Sequence, residues 1–159
     1  IMKRKKWMWY MVPAVCIAVG FLVFTLARQK QPFGHMKVTV VDAYSLHAIE
    51  QAQIVLPEGN IHATTDENGV AYLYSIPLSP QQPSLKEVPC DYGETTILVY
   101  AEGYLPFALF HAHVYDGRLR NGPTLYLFPE GTEDGIDVVS MIESPKEDWV
   151  EQLLDAYAP

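Results

Sequence analysis

His111-x-His113 is the pair of side chains whose spacing best suits chemistry in this chain. Alternate residues of an extended strand project from one face, so two imidazoles two positions apart can close on one metal ion. A metal centre needs further ligands, and Asp116, His47 and His62 are the residues that folding would have to bring close. The neighbouring positions Ala108, Phe110 and Ala112 are apolar and fall on the opposite face of such a strand. On that pattern the two histidines form the polar side of a half-buried strand, and no metal or other cofactor is expected. A metal-dependent enzyme built on His111 and His113 is the alternative.

Other reactive types are placed less favourably. Asp66-Glu67-Asn68-Gly69 lacks the spaced oxygen ligands and terminal bidentate Glu of a calcium loop and is expected to be a turn. Cys90 stands between Pro89 and Asp91, and an acidic neighbour disfavours the thiolate that a nucleophile needs. Lys37 and Asn121 carry the two groups of a Lys–Asn isopeptide bond. The pattern puts Lys37 on the Thr39 side of its strand and Asn121 in a turn, whereas the bond requires both to be buried beside a carboxylic acid. No nucleophile has a base at motif spacing, so the chain is read as non-enzymatic.

Charge narrows the partners. Residues 1–30 carry six basic side chains and no acids, residues 31–129 carry ten acids against four bases, and residues 130–159 carry nine acids against Lys146. Nucleic acid is excluded as a partner, because phosphate contact requires a basic face.

Residues 7–27, from Trp7 to Ala27, contain no charge. A helix of that length reaches about 31 Å and matches a hydrocarbon core of about 30 Å, so the segment is expected to span a membrane as an uncleaved signal anchor. Lys3, Arg4, Lys5 and Lys6 precede it and only Arg28 and Lys30 follow, which keeps residues 1–6 in the cytoplasm. Residues 28–34 form a juxtamembrane linker, and everything beyond is expected outside the cytoplasm, in a single-pass protein of the cell membrane.

The exterior part reads as strands. Met36, Val38 and Val40 alternate with Lys37, Thr39 and Val41; Ala52, Ile54 and Leu56 share one face of the next run; Pro57-Glu58-Gly59-Asn60 turns the chain. Residues 61–74 read as a hairpin broken at 65–69, with Asn68-Gly69 supplying positive φ. Runs at 95–100, 107–114 and 125–128 complete a set of seven strands without helical periodicity between them, a pattern that points to a mainly β, antiparallel sandwich over residues 35–129.

Within that frame, Val38-x-Val40-x-Asp42, Ala52-x-Ile54, Thr64-Thr65-Asp66-Glu67-Asn68-Gly69-Val70-Ala71-Tyr72, Val99-x-Ala101-Glu102-Gly103-Tyr104 and Leu125-x-Leu127-x-Pro129 follow one another in an order that resembles the carboxypeptidase regulatory-like domain. The signature residues are Thr65, Asp66, Asn68 and Gly69 in the turn and Ala101, Gly103 and Tyr104 in the corner. The resemblance implies a transthyretin-like (prealbumin-like) β-sandwich, and a non-catalytic binding or structural module at the cell surface or envelope, used for contact with carbohydrate or protein or as a spacer. Residues 75–94, with Pro77, Pro80, Pro83 and Pro89, are longer than the family's usual connection; that length is typical of a binding loop or a disordered segment, and the prolines favour extended polyproline II backbone.

Residues 130–143 read as an acidic linker and residues 144–158 as an amphipathic helix, with Ser144 as N-cap, Pro145 at the first position and Glu147 as the capping-box acid. Trp149, Val150, Leu153, Leu154 and Tyr157 share one face. A helix this short needs a surface to pack on, either its own sandwich or a partner.

Overall fold

A computed structural model describes residues 32–79, 90–132 and 135–158. The proposed span at 7–27 and residues 80–89 of the proline-rich segment lie outside the described residues. Among those described, no helix is long and apolar enough to cross a membrane.

Eight strands appear in order: β1 (Phe33–Asp42), β2 (Gln53–Leu56), β3 (Ile61–Thr64), β4 (Val70–Pro77), β5 (Tyr92–Tyr100), β6 (Phe107–Tyr115), β7 (Leu119–Leu127) and β8 (Val139–Ile142), with a helix at Glu147–Ala156. They form a three-stranded sheet, β4-β1-β7, and a five-stranded sheet, β3-β2-β5-β6-β8. Their apolar faces meet in one core. Met36, Val38, Val40, Leu73, Leu125 and Leu127 come from the first sheet, and Ile54, Leu56, Ile97, Val99, Leu109 and Val114 from the second. Burying each such side chain stabilises the fold by roughly 1.5–3 kcal/mol, which is why the period-two pattern decides the register.

Four expectations are corrected. The sandwich has eight strands, not seven, because the stretch expected as an acidic linker contains β8. That strand escapes pattern reading because only Val139 is half-buried while Ser140, Met141 and Ile142 are exposed, leaving no alternation to detect. The sheets are mixed, not antiparallel: β1 runs parallel to β7 and β6 parallel to β8.

The turn at 65–69 does not close a hairpin. It carries the chain from β3 in one sheet to β4 in the other, and only Gly69, at φ +69°, has the positive φ expected of both Asn68 and Gly69. A side chain at Gly69 would collide with the Val40 carbonyl, so glycine serves close approach as well as conformation.

The helix begins at Glu147 with Lys146 at the N-cap position, and Ser144 makes no cap. Lys146 is tied to the sheet at both its backbone and its side chain, so the residues before it stay extended. Trp149, Val150 and Leu153 are half-buried, whereas Leu154 and Tyr157 are 68% and 54% exposed.

Candidate functional site

His111 sits in a β-bulge, whereas His113 lies in the regular ladder beyond it. Thr95 pairs with Ala112 and Ile97 with Leu109, so Phe110 and His111 together face Thr96. His111 takes φ +58° there. The extra residue reverses the strand's phase. Phe107 and Leu109 point into the core before it and Ala112 and Val114 after it, and Phe110, expected on the apolar face, is 40% exposed.

The imidazoles consequently address different carboxylates. His111 Nδ1 lies 2.7 Å from Glu94 Oε2 near the surface, while His113, only 4% exposed, has Nδ1 3.3 Å from Glu143 Oε1. Neither Asp116 nor His47 nor His62 joins them, and among the described residues no group of three His, Cys, Asp or Glu side chains could hold a metal ion.

His113 instead belongs to a clamp. Arg120 Nη2 and Nη1 donate to Glu143 Oε1 and Oε2 at 2.7 and 2.9 Å, a two-pronged arrangement, and Nη1 also donates to the His113 carbonyl at 2.8 Å. The Tyr92 ring lies 4.0 Å from the His113 ring. Burial holds the His113 pKa below the ordinary histidine value, against the pull of the Glu143 carboxylate. Its Nε2 is buried without a partner. A neutral ring with Nδ1–H directed at Glu143 leaves only a lone pair there, whereas protonation would strand an N–H.

Three residues on, Lys146 Nζ reaches Asp91 at 2.9 and 3.1 Å and lies 4.7 Å from the Tyr115 ring centre. This bond raises the lysine pKa and lowers that of Asp91. The Tyr92 and Tyr115 rings are thus both approached by Lys146 of the chain's own C-terminal segment.

The signature residues of the turn and the corner build the opposite end of the sandwich. Thr65, 2% exposed, donates its hydroxyl to the Ile49 carbonyl at 2.7 Å and accepts the Ala52 N–H at 2.9 Å. Asp66 Oδ1 accepts the N–H groups of Asn68 and Val70, both at 2.9 Å. Gly103 turns the corner at φ +79°. The Tyr104 hydroxyl then donates to Asp42 Oδ2 at 3.1 Å, while Asp42 Oδ1 accepts the backbone N–H groups of Ser45 and Tyr44. The Ser45 amide is the main reason that the Asp42 pKa lies below the ordinary carboxylate value; Tyr104 is pushed up, first by burial and then by Asp42.

Between these fastenings lies an open cleft of about 460 Å³, lined by Ile49, Glu50, Gln51, Gln53, Tyr100, Ala101, Glu102 and Tyr104. Sequence reading singled out Ala101 and Tyr104 for the fold but missed the cleft. No signal in the sequence marks it, because the facing of Gln53 and Tyr100 across β2 and β5 is set by pairing between residues far apart in the chain.

Cys90 is a free, half-buried thiol. Asn121 lies within β7 directly beside Lys37 of β1 and not in a turn. Lys37 is half-buried and Asn121 exposed.

Two facing sheets around one apolar core make the described part a β-sandwich domain. No protein-family profile matches the sequence, and no curated protein does. Among solved structures, the Bacillus anthracis TIE protein aligns over 62% of this chain and 17% of its own, at 15% identity and a TM-score of 0.42. The group B streptococcus pilus 2b backbone protein aligns over 62% of this chain and 42% of its own, at 14% identity and a TM-score of 0.38. A minor pilin of Streptococcus agalactiae aligns over 73% of this chain and 49% of its own, at 11% identity and a TM-score of 0.41. The chain spans less than half the length of each of these structures.

Proposed function

We propose that this chain is a membrane-anchored, non-enzymatic binding module of the carboxypeptidase regulatory-like type, displayed outside the cytoplasm. The observation that carries the reading is the uncharged run at 7–27, basic before and acidic after, placed ahead of a β-sandwich. It receives support from the polar side chains with perturbed acidity. Asp42, Asp91, His113 and Lys146 are each engaged in a contact that fastens a turn or a terminal segment, and a group held this way serves architecture before catalysis. The signature residues Thr65, Asp66 and Tyr104 are likewise spent on the fold.

Protease added to intact cells tests the display. The expected result is digestion of the C-terminal two-thirds without lysis; full protection in intact cells with free digestion after lysis overturns the reading.

A further inference from the structure

Building on the reading of the chain as a binding module, we propose that the cleft between residues 49–53 and 100–104 binds a neutral saccharide, with the Tyr100 ring as its platform. Tyr100 lines the cleft and is 45% exposed. An aromatic face with a polar edge covers the C–H side of a sugar ring while leaving its hydroxyls accessible. Gln53 stands directly opposite Tyr100 across the β2–β5 ladder, which sets the two Cβ atoms about 5 Å apart on one face.

The polar side chains of the cleft are uncommitted, in contrast to those of the clamp. Among the described residues, the side chains of Glu50, Gln51, Gln53 and Glu102 make no hydrogen bond or ion pair with the protein. Amides both donate and accept, and carboxylates accept from paired hydroxyls, so the set matches a polyhydroxylated surface. Cleft charge selects within that class. Two carboxylates and no cation line it, which disfavours uronic, sialic or phosphorylated sugars by like-charge repulsion.

The walls are also fixed in advance. The Thr65 hydroxyl holds Ile49 and Ala52 on one side, and the Tyr104–Asp42 bond holds the corner on the other. A site whose walls are already ordered loses little conformational freedom when it binds. Its volume of about 460 Å³ falls within the range of small-ligand sites, roughly 300–1,000 Å³.

The test is a titration of the full, nitrogen-15-labelled chain in detergent micelles with maltotriose, cellotriose and tri-N-acetylchitotriose, followed by backbone amide shifts. At least one sugar is expected to shift the amides of Gln53, Tyr100 and Glu102 saturably, with a dissociation constant of about 1 mM, and Tyr100→Ala is expected to weaken it at least about tenfold. Glu102→Gln, on an exposed turn, checks the polar side and is expected to weaken binding while leaving the amide of Val38 in place. The proposal is overturned if none of the three sugars gives a saturable shift, if the shifts survive Tyr100→Ala, or if trigalacturonate binds as well as the neutral sugars. Occupation of the cleft by calcium or by a lysine-rich peptide, with no response to the sugars, also overturns it. Failure here leaves surface display standing, because protease access decides that reading separately.

Discussion

Arg120 grips Glu143 with two hydrogen bonds across the gap between the sheets. Arg120 belongs to β7, an edge of the three-stranded sheet, and Glu143 directly follows β8, an edge of the five-stranded one. The guanidinium and carboxylate are only 18% and 23% exposed. A pair at this depth is screened less than a surface pair, and removing one partner leaves the other without its counter-charge.

A double-mutant cycle of Arg120→Ala and Glu143→Ala is therefore expected to show a coupling of about 1 kcal/mol in chemical denaturation. Either single change is also expected to speed proteolytic cutting near 144–147, because Glu143 anchors the segment leading to the helix. Strict additivity of the two changes would deny the clamp any energetic role.

His113 gives the protein a pH dependence with a definite sign. Its folded pKa is held below the ordinary histidine value of 6.5, mainly by burial. Above the unfolded value neither state holds the proton, and the contribution to stability is complete. As pH falls below it, the unfolded chain takes up a proton that the folded chain refuses, so stability declines until the lowered folded pKa is passed. Glu143 and Glu94 favour the charged ring while Arg120 and Lys146 oppose it. His113→Gln should flatten the stability profile between neutral pH and the lowered folded pKa. Wild-type stability that instead increased on acidification through this window would contradict the assignment.

Thr65 provides a sharper test of the sandwich's opposite end. Thr65→Val keeps the shape and removes the hydroxyl that joins the Ile49 carbonyl to the Ala52 N–H. Each buried group left unpaired costs about 1–3 kcal/mol. The variant should fold with a clearly lower denaturation midpoint. Thr65→Ser, retaining the hydroxyl, should recover most of the loss. Equal midpoints for valine and threonine would mean that the hydroxyl holds nothing.

The period-two pattern made the central strands legible. Met36, Val38, Val40, Ile54 and Leu56 are all fully buried, because a half-buried strand must write its inner face into every second residue. Thr65 and Tyr104 stood out through short motifs whose residues turn out to hold long-range hydrogen bonds. What pattern could not reveal depends on distant pairing. The switch of sheet between β3 and β4 leaves no mark on either strand, and the bulge at Phe110 and His111 reverses a phase that reads as unbroken. Glu143 meets Arg120 from 23 positions away, and β8 turns only Val139 toward the core, so no apolar alternation marks it.

The parallel pairing of β1 with β7 sets Lys37 beside Asn121, closer in the fold than their sequence context suggested. Proximity alone does not make an isopeptide bond. The amine must lose its proton and the amide carbonyl must be polarised, and both require an apolar surrounding with a carboxylic acid held neutral. Here Lys37 is half-buried and Asn121 is exposed, on the solvent side of a sheet whose core face is carried by Met36 and Val38. Neither group has the enclosed apolar surrounding that the reaction requires. The intact mass of the purified chain is therefore expected to equal the sequence mass at this pair, with no loss of ammonia, and Asn121→Ala should leave thermal stability nearly unchanged. A mass lower by one ammonia that Asn121→Ala abolishes would show that the outer face of β1 and β7 is covered in the intact protein.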